Sequence, residues 1–335
     1  MKRSILLFGF FFLTISAYGQ NTLIVDNTGS APTGDHVYTN LQAAIDAAQA
    51  GDVIQVMPSQ VIYGEIIISK SDLTIIGGGF NPDIASEIVP NESVILNITM
   101  KSSPSNVVLN GLFINQNLRI EGGANLIVDK CRIEGGISLV SNAVSNSIFR
   151  RNLIYGFLDN GVPSNSLTFT NNIFYFLNGN ILNFGSSIVN NNMIISNDNN
   201  TTINGSNNIF TNNIIHGVSN NTITNSVFNY NLSEEPLVVN EGSTGEFNIT
   251  KNFSIPAILS DERVTVNLWE RVWDPTPVDS DVVNGGNDGT NIGPTGGSSP
   301  YQVTSFSLPT IINLISPITI KKGTDTEVTI KAKGN

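Results

Sequence analysis

An asparagine returns every twenty residues or so through the middle of the chain, always in one local phrase. Phe149-Arg150-Arg151-Asn152-Leu153-Ile154 is followed by Phe169-Thr170-Asn171-Asn172-Ile173-Phe174 and Val189-Asn190-Asn191-Asn192-Met193-Ile194. Phe210-Thr211-Asn212-Asn213-Ile214-Ile215 and Phe228-Asn229-Tyr230-Asn231-Leu232-Ser233 continue it. The steps between Asn152, Asn172, Asn192, Asn213 and Asn231 are 20, 20, 21 and 18 residues. A fixed period of this length marks a solenoid, whose units bury their apolar faces only against one another. Short β-rich units with Asn at a corner predict an all-β stack of parallel coils.

Stacking places like residues over one another, about 4.8 Å apart. Phe149, Phe169, Val189, Phe210 and Phe228 then form an internal apolar column. The five asparagines form a ladder at a bend, since an amide can donate to one neighbour and accept from the other, and Asn tolerates left-handed backbone angles. Carried backwards, the ladder column falls on Cys131 and Leu112. Earlier coils are expected through Ile54, Ile75 and Ile95, making seven to nine coils between Asp52 and Ser233. An irregular closing segment should run to about residue 297, where Trp269 and Trp273 would plug the far end.

Before the coils, 22–27 reads as a strand. Thr39 with Gln42 reads as a capping box opening an amphipathic helix with Leu41, Ala44, Ile45 and Ala48 on one face and Gly51 past its end. Such a helix would cap the first coil within an N-terminal unit, 20–51, ahead of a solenoid with its closing segment, 52–297. In the tail, 298–335, Ile318–Gly323 and Glu327–Lys331 alternate apolar and polar around a Gly-containing turn, a β-hairpin pattern.

The first residues, Met1-Lys2-Arg3, an apolar run from Ile5 to Ile15, and Ser16-Ala17-Tyr18-Gly19, have the layout of a secretory signal peptide over 1–19. The run is too short for a membrane span, and no later run is longer. The chain is therefore expected to be exported, either secreted or displayed at the cell surface, as a monomer without a span. Loss of Lys2 and Arg3 takes the formal charge from −11 to −13. That acidity disfavours nucleic acid as a partner. A single cysteine, Cys131, excludes a disulfide framework.

With helix, repeat and Asn corner in hand, the chain resembles the right-handed parallel β-helix proteins of the pectin-lyase-like superfamily. The opening Leu41-Gln42-Ala43-Ala44-Ile45-Asp46 through Val56, then Leu73 to Gly79, is similar to the N-terminal opening of that superfamily. Asn287-Asp288-Gly289-Thr290-Asn291-Ile292-Gly293-Pro294 is similar to the Asp-Gly-x-x-Ile-Gly turn that ends many secreted bacterial members. The resemblance covers about 22–297 and implies a right-handed coil. The superfamily includes polysaccharide lyases, hydrolases and epimerases, together with surface proteins that perform no known chemistry. Its lyases bind calcium through clustered acids and abstract a proton with Arg or Lys.

No residue set here matches that chemistry. The outward column Asp129, Arg150, Thr170, Asn190, Thr211, Asn229 holds one acid, and no acid pair flanks a site for a glycosidic bond. Arg150 and Arg151 are the first candidates for a proton-abstracting base. The competing reading is a solvated patch of alternating sign with Asp129, Lys130, Arg132 and Glu134. Tyr155 and Tyr175, one coil apart, are candidates for stacking on sugar rings, unless the closing segment covers them. His216 and His36 lack partners for a metal. Asp279, Asp281, Asp288 and Asn291 are oxygen donors without calcium-loop spacing, so no metal ligand is assigned and calcium is only a secondary option. The leading expectation is a surface protein without a catalytic set that binds extracellular polysaccharide or cell-surface components, or serves as an adhesive or structural element. The alternative is a calcium-dependent uronate lyase.

Overall fold

The computed structural model describes residues 20–29, 34–79, 92–140, 144–160, 166–176, 181–196, 201–237, 240–258, 275–301, 310–315 and 329–333. The expected signal segment, Trp269 and Trp273 lie outside them. Almost all regular structure is parallel strand, wound into a solenoid of about 8 turns. Each full turn contributes one strand to each of three faces. In one turn these are Leu167–Thr170 on sheet 1, Ile173–Phe176 on sheet 2 and Ile181–Gly185 on sheet 3. Among the described residues sheets 1, 2 and 3 hold 12, 9 and 8 strands, stacked in chain order except at the start of sheet 1, where Val37–Tyr38 lies outside Thr22–Val25.

The expected columns are present. Phe149, Phe169, Val189, Phe210 and Phe228 are in register on sheet 1 and fully buried. Phe149 stacks on Phe169 at 4.9 Å, and Phe210 on Phe228 at 5.0 Å. Val189 is too small to bridge these two stacks. Phe184, arriving from sheet 3, fills the place edge-on, 5.3 Å from Phe169 and 5.5 Å from Phe210. Packing at crystal-like density demands such a substitute.

The ladder is continuous from Asn152 to Asn231. Each Nδ2 donates forward to the next Oδ1 and sideways to a backbone carbonyl: Asn192 to Asn213 Oδ1 at 3.1 Å and to Phe169 O at 2.8 Å. Each Oδ1 also takes the preceding ladder residue's backbone N–H, as from Asn172 N to Asn192 at 2.9 Å. Cys131 stands in the column, its N–H donating to Asn152 Oδ1 at 2.9 Å. Burial pushes its thiol up to about 12.

Several expectations need correction. The left-handed residue at the corner is not the ladder asparagine but the one before it. Lys130, Arg151, Asn171, Asn191, Asn212, Tyr230 and Phe247 all have φ between 53° and 58°. The ladder also runs one rung further, since Asn231 Nδ2 donates to Asn248 Oδ1 at 3.0 Å. Ile95 does not follow Ile75. It lies on sheet 2 beside Ile114, and Leu109 takes the place above Ile75. A longer excursion in that turn breaks the period.

The helix, Leu41–Ala47, buries Leu41, Ala44 and Ile45. Asn40 rather than Thr39 caps it, accepting from Ala43 N at 2.9 Å. Gln42 is diverted to sheet 3. Its amide accepts from Ile67 N at 2.8 Å and donates to Ile67 O at 3.1 Å, so it imitates a strand beside the edge strand Glu65–Ile68. An unpaired edge is a liability that proteins cover by such devices. In the tail, Thr329–Lys333 pairs antiparallel with Thr310–Ile315, and the expected hairpin segment at 318–323 lies outside the described residues.

Candidate functional site

The outer surface of the coil is built by the same alternation that builds its core. On sheet 1 each inward residue is flanked by two outward ones. The first outward column reads Ile148, Thr168, Ile188, Ile209, Val227, and the second Arg150, Thr170, Asn190, Thr211, Asn229. Ile188, Ile209 and Val227 are exposed aliphatic side chains. From Thr168 to Asn229 neither column carries an ionisable group.

Charge is concentrated just before this stretch, two turns ahead of Thr170, around Asp129. Its carboxylate is 2% exposed and is held from the next turn by both arginines. Arg150 Nε donates at 3.0 Å, and Arg151 Nε at 2.8 Å with a second bond from its Nη2. Both candidate arginines are thus engaged by one carboxylate, through planar guanidinium donors suited to such pairing. Burial, with the Arg151 and Arg150 guanidiniums alongside and Asp129 opposing, holds Lys130 below the ordinary lysine range.

Sheet 2 departs from strict alternation. Leu153 and Ile154, Ile173 and Phe174, Met193 and Ile194, and Ile214 and Ile215 are buried on both faces. Such two-sided runs mark a sheet covered on both sides. Here the cover is the closing segment. A second apolar core gathers Leu153, Ile173, Met193, Ile214 and Leu232 with Phe253, Ile258, Val282, Ile292 and Tyr301. Tyr155 and Tyr175 are part of it, meeting edge to face at 5.8 Å. They are 6% and 1% exposed, so the expectation of rings open to a sugar is corrected. They do project outward from the coil, but the closing segment lies over them. Arg132 covers the margin, 4.6 Å over Phe113 and 5.6 Å over Tyr155, and pairs with Glu134.

The left-handed asparagines fasten this cover. Asn171 Nδ2 donates to Pro294 O at 2.9 Å and Gly296 O at 2.7 Å. Asn191 Nδ2 donates to Asn291 O at 3.1 Å and Gly293 O at 3.2 Å. Asn212 exchanges hydrogen bonds with Asn287, donating at 2.8 Å and accepting at 3.0 Å. The 287–296 turn is thus held by three successive rungs.

Of the remaining candidates, Asp279 receives Lys251 Nζ at 3.0 Å, and Asp281 binds the same ammonium. Asp288 Oδ1 accepts from Thr290 N at 3.0 Å and Oγ1 at 2.7 Å, and Asn291 Oδ1 accepts from Asn284 N. Each has a structural partner, and among the described residues no three His, Cys, Asp or Glu converge as metal ligands would. His216 Nδ1 lies 2.9 Å from Glu234 Oε2, which also accepts Gly217 N–H at 2.7 Å. Burial lowers its pKa, opposed by Glu234.

A second corner ladder went unread in the sequence. Ser187 N donates to Asn208 Oδ1, Asn208 N to Ser226 Oγ and Ser226 N to Ser243 Oγ, at 2.9, 2.9 and 3.3 Å. Its signal was the dipeptide run Asn146-Ser147, Ser186-Ser187, Asn207-Asn208, Asn225-Ser226. Phe247 was missed too, because the step to Asn248 shortens to 17 residues. No helix among the described residues is long and apolar enough to cross a membrane. No family model matches the chain, and no curated protein matches it.

Proposed function

We propose that the protein is an exported β-solenoid of the pectin-lyase-like type, right-handed, that binds extracellular glycan at the cell exterior without cleaving it. The observation that carries this reading is the outer face of sheet 1. Ile188, Ile209 and Val227 stand beside Asn190, Thr211 and Asn229 in register, one strand spacing apart, with no charge among them. An aliphatic stripe next to a row of amides and hydroxyls complements a sugar chain, which presents C–H patches beside hydroxyl groups. The engagement of Arg150 and Arg151 by Asp129 supports binding rather than elimination chemistry.

Affinity electrophoresis of the mature chain in gels containing neutral and acidic polysaccharides tests the reading. Retardation by a polysaccharide that is recovered uncut, and its loss on Ile209→Lys, are expected. Appearance of unsaturated uronate product, with or without added calcium, would establish the lyase instead. Free migration in every gel would leave only the adhesive or structural alternative.

A further inference from the structure

We propose that Phe247 and Tyr230 form an aromatic subsite for a neutral pyranose ring at the corner of sheets 1 and 2 in the last rungs; it rests on the glycan-binding reading and locates it. Along this corner column, Asn171, Asn191 and Asn212 hold the closing turn, which reaches no further than Asn212 by these contacts. The next two positions in the column are Tyr230 and Phe247. They stack on each other at 4.9 Å with 28° between ring planes, so the pair lies along the solenoid axis. Phe247 packs on Tyr230 and is still 66% exposed.

Neither residue type is what the backbone asks for. Both are left-handed, at φ 55° and 56°. A bulky side chain is an outlier in that region, and asparagine, present at the three preceding rungs, is accommodated more easily. Water would also favour asparagine at a site so exposed. The fold thus holds an exposed ring in a conformation that opposes it, a combination that accumulates at functional positions.

The polar surroundings select the ligand. Glu246 precedes Phe247 and is exposed, and Asn229 Oδ1 takes the Glu246 N–H at 3.1 Å, leaving the Asn229 NH2 as a donor. A ring face bordered by a carboxylate acceptor and an amide donor matches a sugar that stacks through its C–H face and hydrogen-bonds through its hydroxyls. Glu246 is exposed next to Phe247 in the chain, and the chain carries −11 overall. That charge repels a polyuronate and admits a neutral glycan.

The test compares the mature chain with Phe247→Asn and Phe247→Tyr in affinity electrophoresis against hydroxyethylcellulose, xyloglucan and galactomannan, with polygalacturonate as the acidic probe. Thermal unfolding and sedimentation are measured on the same samples. Expected results are retardation by a neutral polymer, weakened about tenfold in Phe247→Asn and kept in Phe247→Tyr. The thermal midpoint of Phe247→Asn should be equal or higher, because asparagine relieves the backbone. If the wild type is retarded and Phe247→Asn equally so, glycan binding stands and this subsite fails. If no polymer retards the wild type, both fail. A lower midpoint with unchanged binding would make Phe247 a cap on the last rung. Preference for polygalacturonate, or a dimer lost in Phe247→Asn, would also overturn the proposal.

Discussion

Asn171 and Asn172 are neighbours in the chain with opposite roles at one corner. Asn172 Nδ2 donates inward to Phe149 O at 2.8 Å, while Asn171 Nδ2 donates to Pro294 O, 123 residues away, at 2.9 Å. The doubled asparagine of the repeat phrase is therefore two devices. The second residue joins rung to rung, and the first, left-handed at φ 56°, joins the coil to its cover.

Asn192→Ala removes one ladder amide at a fully buried position. It leaves Phe169 O and Asn213 Oδ1 without that donor, and Asn172 without its acceptor. Unfolding in urea should show a loss of about 1–3 kcal/mol, the usual cost of stranding buried polar groups. An unchanged midpoint would mean that the ladder contributes nothing net.

Phe169→Ala empties the junction where Phe149 stacks and Phe184 wedges in. A loss of about 3–5 kcal/mol is expected from the lost burial and the cavity. Phe184→Ala should be coupled to it, because both rings contact the same space. A double-mutant cycle showing simple additivity would contradict that packing.

Gly296→Ala tests the cover separately from the coil. A Cβ there would lie 1.8 Å from Asn291 O and 2.5 Å from Asn191 Nδ2, so the turn must move. The cost should be about 1–3 kcal/mol. It should fall locally, as faster hydrogen exchange over 287–297 and greater exposure of Tyr155 and Tyr175, while the sheet 1 rungs keep their protection. Uniform loss of protection would show coil and cover to be one cooperative unit.

His216 makes stability depend on pH. Its folded pKa lies below the ordinary value of 6.5, through burial partly opposed by Glu234. The unfolded chain therefore binds the proton more readily, and stability falls as pH drops. The contribution is complete above the unfolded value and is lost as pH falls through 6.5 toward the lower folded value. Measured between about pH 7.5 and 5, the wild type should lose more stability than His216→Gln. Parallel curves would remove His216 from the account.

The architecture was legible because its cause is periodic. Side chains that repeat every coil must meet across a strand spacing, so the phenylalanine column, the ladder and the place of Cys131 followed from counting. Counting failed where the count changed: the excursion after Ile75 displaced Ile95, and the 17-residue step hid Asn248. The sequence also placed Tyr155 and Tyr175 on the outside of the coil, and that holds.

What only the tertiary structure decided is what lies against that outside. Local alternation determines which way a side chain leaves a strand, whereas its exposure depends on segments far along the chain, here the closing residues that bury Tyr155 beside Tyr301. The same applies to charge. Asp129, Arg150 and Arg151 are close in the repeat by arithmetic, but the two-to-one pairing that occupies them is set by side-chain geometry at the corner. The left-handed column likewise reads as alternate residue types until the fold shows three asparagines under the closing turn and two aromatic rings beyond it.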